Sequence, residues 1–293
     1  MTNTYDYSAP KVVAEIGCNH MGDMAIAKEL ILLAKETGAG YVKFQKRNNR
    51  ELLTEEQYNA PHPVSANSYG GTYGEHREFL EFSKEQNREL KDYCESVGIV
   101  YSTSVWDLTS AREIIDLNPE FIKVPSACNN NFAMLKALRD EYKGSVQLSI
   151  GMTTKTEVEE IVRFFEETGQ AKTRLLIYCC TSGYPVPAKD VALLEINWLY
   201  ENYAHRISEI GFSGHHLGTA LDIAAYTLGA RWIERHFTKD KTWKGTDHAA
   251  SLEPDELAKL VTCLNEVHTA LHHKSSDILS IEQVQRDKLK YRK

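Results

Sequence analysis

Ionisable and hydroxyl residues recur in this chain directly after short β-branched runs. They appear as Glu15-Ile-Gly-Cys-Asn-His20, Lys43-Phe-Gln45, Ser102-Thr103-Ser104, Lys123-Val-Pro-Ser126, Ser149-Ile-Gly-Met152, Thr181-Ser182-Gly-Tyr184, Ser213-Gly-His215-His216 and Glu234-Arg-His236. Lys43 and Lys123, with the hydroxyls of Thr103, Ser126, Ser149, Ser182 and Ser213, form a set of converging cations and donors. Such a set suits a phosphate or a carboxylate, because each anionic oxygen accepts several charge-assisted hydrogen bonds. His215 and His236 follow the last two runs, and two imidazoles on adjacent strand ends can share one divalent metal ion. Glu15 is a candidate acid or base, and Asp247 follows in the loop after the last run. Each residue alone has a plainer reading. A lone His is more often a hydrogen-bonded structural residue, and a lone Lys in a loop is often simply solvated. The repetition of the pattern carries the weight.

The elements that must position these groups alternate. Strands are expected at residues 11–17, 41–45, 99–103, 121–124, 145–150, 174–180, 207–212 and 232–236. Helical periodicity follows at 25–37, 84–96, 110–117, 132–141, 155–167, 188–202, 218–228 and 254–272. Turn glycines such as Gly38, Gly98, Gly169 and Gly229 close several helices. Eight β-then-α units predict a parallel sheet. Eight units with nothing left over, and no GxGxxG in the first turn, predict an α/β fold of the (β/α)8 TIM-barrel type rather than a doubly wound sheet. Barrel enzymes carry their catalytic groups at the C-terminal ends of the strands, which is where the polar residues fall. The stretch 46–82 is far longer than an ordinary βα loop, so it reads as a substrate loop over that face. The tail after Lys274 is polar and reads as a solvated terminus.

Composition narrows the partners. With 293 residues and 42% hydrophobic, the chain can bury a sizeable core. Lys plus Arg is 34 and Asp plus Glu is 41, a net charge of −7, so no broad nucleic-acid surface is expected. No apolar stretch approaches the ~20 residues of a membrane span, and residues 1–10 hold no signal-peptide core. The six cysteines form no CxxC, which reads as reduced thiols in a cytoplasmic protein.

Several strings together resemble the sialic acid synthases: EIGCNH at 15–20, KFQ at 43–45, KVPS at 123–126, CTSGYP at 180–185, GFSGHH at 211–216, ERHFT at 234–238 and KGTDHAASLEP at 244–254. KFQK at 43–46, TYGEH at 72–76, LEFS at 80–83 and DKTWKG at 240–245 look most like the N-acylneuraminate-9-phosphate synthases, which take a phosphorylated hexose. The resemblance runs from about Val12 to about Leu271 and touches all eight strands. It implies condensation of phosphoenolpyruvate with an open-chain aldose, loss of phosphate, and a 2-keto-3-deoxy sugar acid as product. It implies a divalent metal, Mn2+ first with Mg2+ or Co2+ as alternatives, on His215 and His236. It assigns Lys43, Thr103, Lys123, Ser126, Ser149, Ser182 and Ser213 to phosphoenolpyruvate, and Gln45, Tyr184 and Asp247 to the sugar. It also implies a homodimer. The role of Glu15, an acid or base near the reacting carbons, is inferred from its position.

The chain departs from that pattern in two places. Where the family carries an acid shortly after the strand-four serine, this chain has Cys128, so a strict need for an N-acetyl sugar is not expected. Basic residues around the long loop (Lys46, Arg47, Arg77 and Lys244, with Thr72 and His76) favour a phosphorylated aldose such as mannose 6-phosphate. The family's small C-terminal antifreeze-like domain has no counterpart in the sequence, which reads as a synthase barrel at 1–274 with a tail at 275–293. Two alternatives stay open. One is a 3-deoxy-octulosonate 8-phosphate synthase-like barrel, against which the sialic-type strings count. The other is a catalytically inactive sugar-binding barrel, against which the intact histidine pair counts.

Overall fold

A computed structural model describes residues 7–291. Eight parallel strands close into a barrel in sequential order: β1 (Lys11–Gly17), β2 (Tyr41–Lys46), β3 (Val100–Val105), β4 (Phe121–Val124), β5 (Ser145–Ser149), β6 (Leu175–Cys179), β7 (Glu209–Gly214) and β8 (Trp232–His236). The expected (β/α)8 architecture is the observed one. β8 pairs back onto β1 in a register that sets Glu15 against His236, while Glu15 also sits against Lys43 of β2. Likewise Ser104 pairs with Lys123, and Ser213 with Glu234.

Side chains alternate across each strand, and the two sides have different tasks. The outward set, including Val12, Ala14, Ile16, Val42 and Phe44, packs against the surrounding helices as one continuous core. The inward set is split by height. In the lower barrel Val13, Phe121, Leu176 and Trp232, with Tyr178 further along β6, fill the interior, with the Trp232 ring 4.7 Å from Tyr41 and 5.4 Å from Phe121. This apolar plug closes the lower end. The polar inward residues one or two positions further on therefore open only toward the C-terminal mouth.

The helices follow from local signals. Lys84–Val97 starts at a Ser83/Gln86 capping box and stops at Gly98, whose φ of 75° is left-handed. Two expectations need adjustment. The helix expected at 188–202 begins as the 3-10 turn Ala188–Asp190, breaks at Ala192 (φ 54°), and resumes as Glu195–Tyr203. The long stretch after β2 is not featureless. It holds the helices Asn49–Leu52, Glu55–Asn59 and Tyr73–Phe79, the last two opened by Thr54/Gln57 and Thr72/Glu75 capping boxes. The tail contains the helix Ser280–Leu289, with no buried residue. No helix among the described residues is long and apolar enough to cross a membrane. All six cysteines are free.

Candidate active site

A cavity of about 360 Å³ opens at the C-terminal mouth. Its floor is a charge quartet that the strand register brings together. Lys123 Nζ donates to both oxygens of Glu234, at 3.0 and 2.9 Å. Lys43 is ion-paired with Glu15 and lies 3.9 Å from Glu234. The Ser213 hydroxyl donates to Glu234 at 3.1 Å, and the Gln45 amide donates to Glu15 at 2.9 Å. All four charged side chains are buried. Burial opposes the Glu234 carboxylate, yet Lys123 and Lys43 hold its pKa down to about 2. Burial likewise opposes the Lys43 ammonium, but Glu15 and Glu234 keep its pKa above the ordinary value. Lys123 is shifted the other way, because burial there outweighs Glu234. Its ammonium also sits 3.9 Å from the centre of the Tyr178 ring.

One wall is a cluster of hydroxyls. Ser126, Ser149 and Ser182 all line the cavity, and Ser126 Oγ lies 3.3 Å from Cys180 Sγ. Gly151 makes the convergence possible. A Cβ there would come 2.5 Å from Ser182 Oγ, 2.9 Å from Cys180 Sγ and 3.0 Å from Ser126 Oγ. Only a glycine therefore lets the three side chains approach this close to the chain.

The opposite wall is the imidazole pair. His215 and His236 have ring centres 5.6 Å apart, with Tyr184 over them at 4.4 and 5.8 Å. The Nδ1 of His215 faces the Thr181 carbonyl at 3.0 Å and so carries its proton on that side, which leaves Nε2 with a free lone pair. Burial first, then His236, lowers the pKa of His215 to about 4, so the ring is neutral near pH 7. His236 Nδ1 is buried without a hydrogen-bond partner. Two imidazoles 5.6 Å apart, one neutral and the other with an orphaned nitrogen, fit a divalent ion. Among the described residues no group of three or more His, Cys, Asp or Glu side chains could hold a metal. The pair would thus be the whole protein ligand set, with the remaining positions left to substrate and water. Behind the pair, Arg235 donates to the His216 and Gly218 carbonyls at 2.6 and 2.7 Å and is ion-paired with Asp222. This fully buried bridge fixes the ends of β7 and β8.

Most of the residues singled out in the sequence meet at this cavity: Glu15, Lys43, Gln45, Lys123, Ser126, Ser149, Ser182, Tyr184, Ser213, His215 and His236. Thr103 does not. It is buried on the outward side of β3, and its place on the cavity is taken by Ser104. The reason is strand parity, since inward residues on β3 are 102 and 104. Asp247 does not line the cavity either. It is half-buried in the loop after β8, where its charge acts on His215 and Tyr184. Glu234 and Trp106 line the cavity without having been singled out. Glu234 was recoverable by parity from His236, two residues on.

The NeuB family matches residues 30–276, most of the chain. The chain belongs to the NeuB family. The human N-acetylneuraminate-9-phosphate synthase is 40% identical over 278 residues, covering 95% of this chain and 76% of that one. The N,N'-diacetyllegionaminic acid synthase of Campylobacter jejuni is 31% identical over 260 residues, covering 89% and 77%. Among solved structures, an N-acetylneuraminic acid synthetase from Leptospira borgpetersenii superposes with a TM-score of 0.81 at 28% identity, covering 98% of this chain and 94% of that one. As a NeuB-family barrel, the chain is a transferase of the sialic acid synthase type. The octulosonate-type and inactive-barrel readings fall away.

Proposed function

We propose that this protein joins C3 of phosphoenolpyruvate to the aldehyde carbon of an aldose, a phosphorylated hexose or an N-acylhexosamine. The products are a 2-keto-3-deoxy sugar acid of the nonulosonate type and phosphate. The observation that carries the reading is one cavity with two buried ammonium groups and a cluster of serine hydroxyls on one side and the imidazole pair His215 and His236 on the other. A divalent ion on His215 and His236, Mn2+ first and Mg2+ or Co2+ as alternatives, would polarise the aldehyde oxygen as a Lewis acid. Lys43 and Lys123 hold the phosphoenolpyruvate anion, and Ser126, Ser149, Ser182 and Ser213 give it hydrogen bonds. Gln45 and Tyr184 border the acceptor, with Asp247 at the rim. Glu15, between Lys43 and the β8 histidine, takes the proton of the water that adds at C2 as the C–O bond to phosphate is lost. On this reading residues 1–274 are the synthase domain and 275–293 a tail. The enzyme works on small molecules as a cytoplasmic homodimer, with neither nucleic acid nor membrane as partner.

The test is phosphate release and product mass with phosphoenolpyruvate, Mn2+ and a panel of aldoses. Phosphate release that depends on an aldose, with a product equal in mass to the two substrates plus water less phosphate, is expected. Phosphate release without an aldose, or none with any aldose, would sink the assignment.

A further inference from the structure

The two imidazoles stand at the ends of β7 and β8, and the strand ladder stops short of both. The last register pair between these strands is Gly214 with Arg235, one residue before His215 and His236. Beyond that point the Arg235 side chain makes the connection. Its Nη2 donates to the His216 carbonyl at 2.6 Å and its Nη1 to the Gly218 carbonyl at 2.7 Å. It is ion-paired with Asp222, in the first turn of the helix Ala220–Thr227, and lies 3.2 Å from His216 Nε2. Asp222 lies 3.3 Å from the same nitrogen. All three side chains are buried, and none of them lines the cavity. Gly214 sets how close they come to the strand. A Cβ there would lie 2.9 Å from the His216 ring and 3.0 Å from both the Arg235 side chain and the Asp222 carboxylate. The cluster therefore packs directly on the backbone that leads into His215.

Stability does not account for this cluster. Arg235 Nε, His216 Nδ1 and Asp222 Oδ1 are each buried with no hydrogen-bond partner. A buried ion pair with incomplete hydrogen bonding is often no more stabilising than apolar groups of the same volume. What the cluster supplies is geometry. The His215 ring has an anchor of its own, because its Nδ1 faces the Thr181 carbonyl at 3.0 Å. His236 Nδ1 has none, so that ring follows its backbone, and the residue before it is Arg235. An ion held by only two imidazoles depends on how far apart they stand, here 5.6 Å between ring centres.

We propose that Arg235 and Asp222 are positioning residues for the divalent ion: by tying the end of β7 to the end of β8 they fix the spacing of His215 and His236, and so set the affinity for metal without touching it. The inference rests on the reading of the imidazole pair as the metal site. Partners behind a metal ligand are typically worth 10- to 100-fold in affinity.

The test is Mn2+ binding to the full chain without substrates, followed by loss of the free-ion paramagnetic resonance signal, with calorimetric binding of phosphoenolpyruvate alongside. Arg235→Met should bind Mn2+ about 10- to 100-fold more weakly than the parent, and phosphoenolpyruvate equally well. Arg235→Lys keeps the charge but loses the fork that reaches two carbonyls, so it should fall between the two. The double variant Arg235→Met/Asp222→Asn leaves no buried charge stranded and should recover much of its urea midpoint. Its Mn2+ affinity should nevertheless stay low, which a purely structural role would not produce. Parental Mn2+ affinity in Arg235→Met, or affinity that returns with stability in the double variant, would overturn the positioning role and leave the metal pair standing. Equal weakening of Mn2+ and phosphoenolpyruvate would mark a general distortion and overturn it as well. If the parent binds no Mn2+, the metal pair itself fails and the positioning role falls with it.

Discussion

Replacing Lys123 by Met separates two roles of one ammonium. In the closed floor Lys123 neutralises Glu234 through contacts of 3.0 and 2.9 Å, with both side chains buried. Removing one partner of a buried ion pair costs about 3–5 kcal/mol, because the other charge is stranded. Here Glu234 keeps Lys43 at 3.9 Å and the Ser213 hydroxyl at 3.1 Å, so the cost belongs at the low end, about 3 kcal/mol. The second role is substrate binding. A lost charged hydrogen bond in an enclosed site is worth about 1.5–3 kcal/mol, or roughly 10- to 100-fold in the apparent constant for phosphoenolpyruvate. The two roles come apart in the double variant Lys123→Met/Glu234→Gln. Neutralising the stranded carboxylate should recover most of the stability in urea unfolding, and the weakened phosphoenolpyruvate binding should remain. The reasoning is refuted if Lys123→Met binds phosphoenolpyruvate as tightly as the parent. It is refuted equally if the double variant is no more stable than the single one.

His215→Ala or His236→Ala should abolish bound divalent metal and nearly all turnover while circular dichroism stays native; full activity in either, or indifference to a strong chelator, contradicts the metal pair. Ser104→Ala should raise the KM for phosphoenolpyruvate and Thr103→Val should not, since only Ser104 faces the cavity; the opposite ranking would reverse the strand parity. Arg235→Leu should destabilise by about 3 kcal/mol, because Asp222 is left buried with only the His216 ring, at 3.3 Å, as a partner, and a parental midpoint in urea would refute that. Arg206 bridges Glu159 at 2.7 and 3.1 Å and Glu166 at 2.8 and 2.7 Å, and its hydrogen bonds hold the Glu159 pKa down to about 2. The folded pKa lies below the ordinary value, so the stabilisation is full above about pH 4.3 and fades as pH falls toward 2. Arg206→Met should therefore lower Tm at pH 7, by no more than the ~1 kcal/mol of a surface pair, and have a much smaller effect at pH 2, where Glu159 is half protonated even when folded. A penalty undiminished at pH 2 contradicts the assignment.

The barrel was legible because its signals are local and repeated. Each apolar run ends in polar residues, and several helices begin or stop at a cap that the sequence spells out. The stretch after β2 shows the limit of that reading. Its T-x-x-Q and T-x-x-E signatures at Thr54 and Thr72 foretell two of the short helices, yet its length alone suggested a loop. At the site, proximity to a strand end was not enough. Thr103 and Ser104 are neighbours in sequence, and only the parity set by the whole barrel decides which one faces inward. The inward side of Glu234 was recoverable by parity, but its role was not. Its meaning depends on Lys43 and Lys123, which lie far away in sequence and reach it only because the sheet closes on itself.

The loop side of the cavity is the least legible part for a related reason. The charge quartet, Ser149, Ser213 and His236 lie on strands, where a period of two and a register fix each side chain against its neighbour. Arg47, Arg77, Trp106 and Cys128 lie beyond the strand ends, on segments whose mutual placement follows from tertiary packing alone. In sequence, Arg47 and Arg77 are equivalent loop cations. In the structure one is saturated by Glu81 and Cys18, and the other is left with a buried nitrogen and no acceptor. Cys128, buried near both arginines, is a neutral thiol and adds no carboxylate to either. The loop cations thus differ in pairing for reasons that only tertiary packing sets, while the strand-end charges are fixed by register.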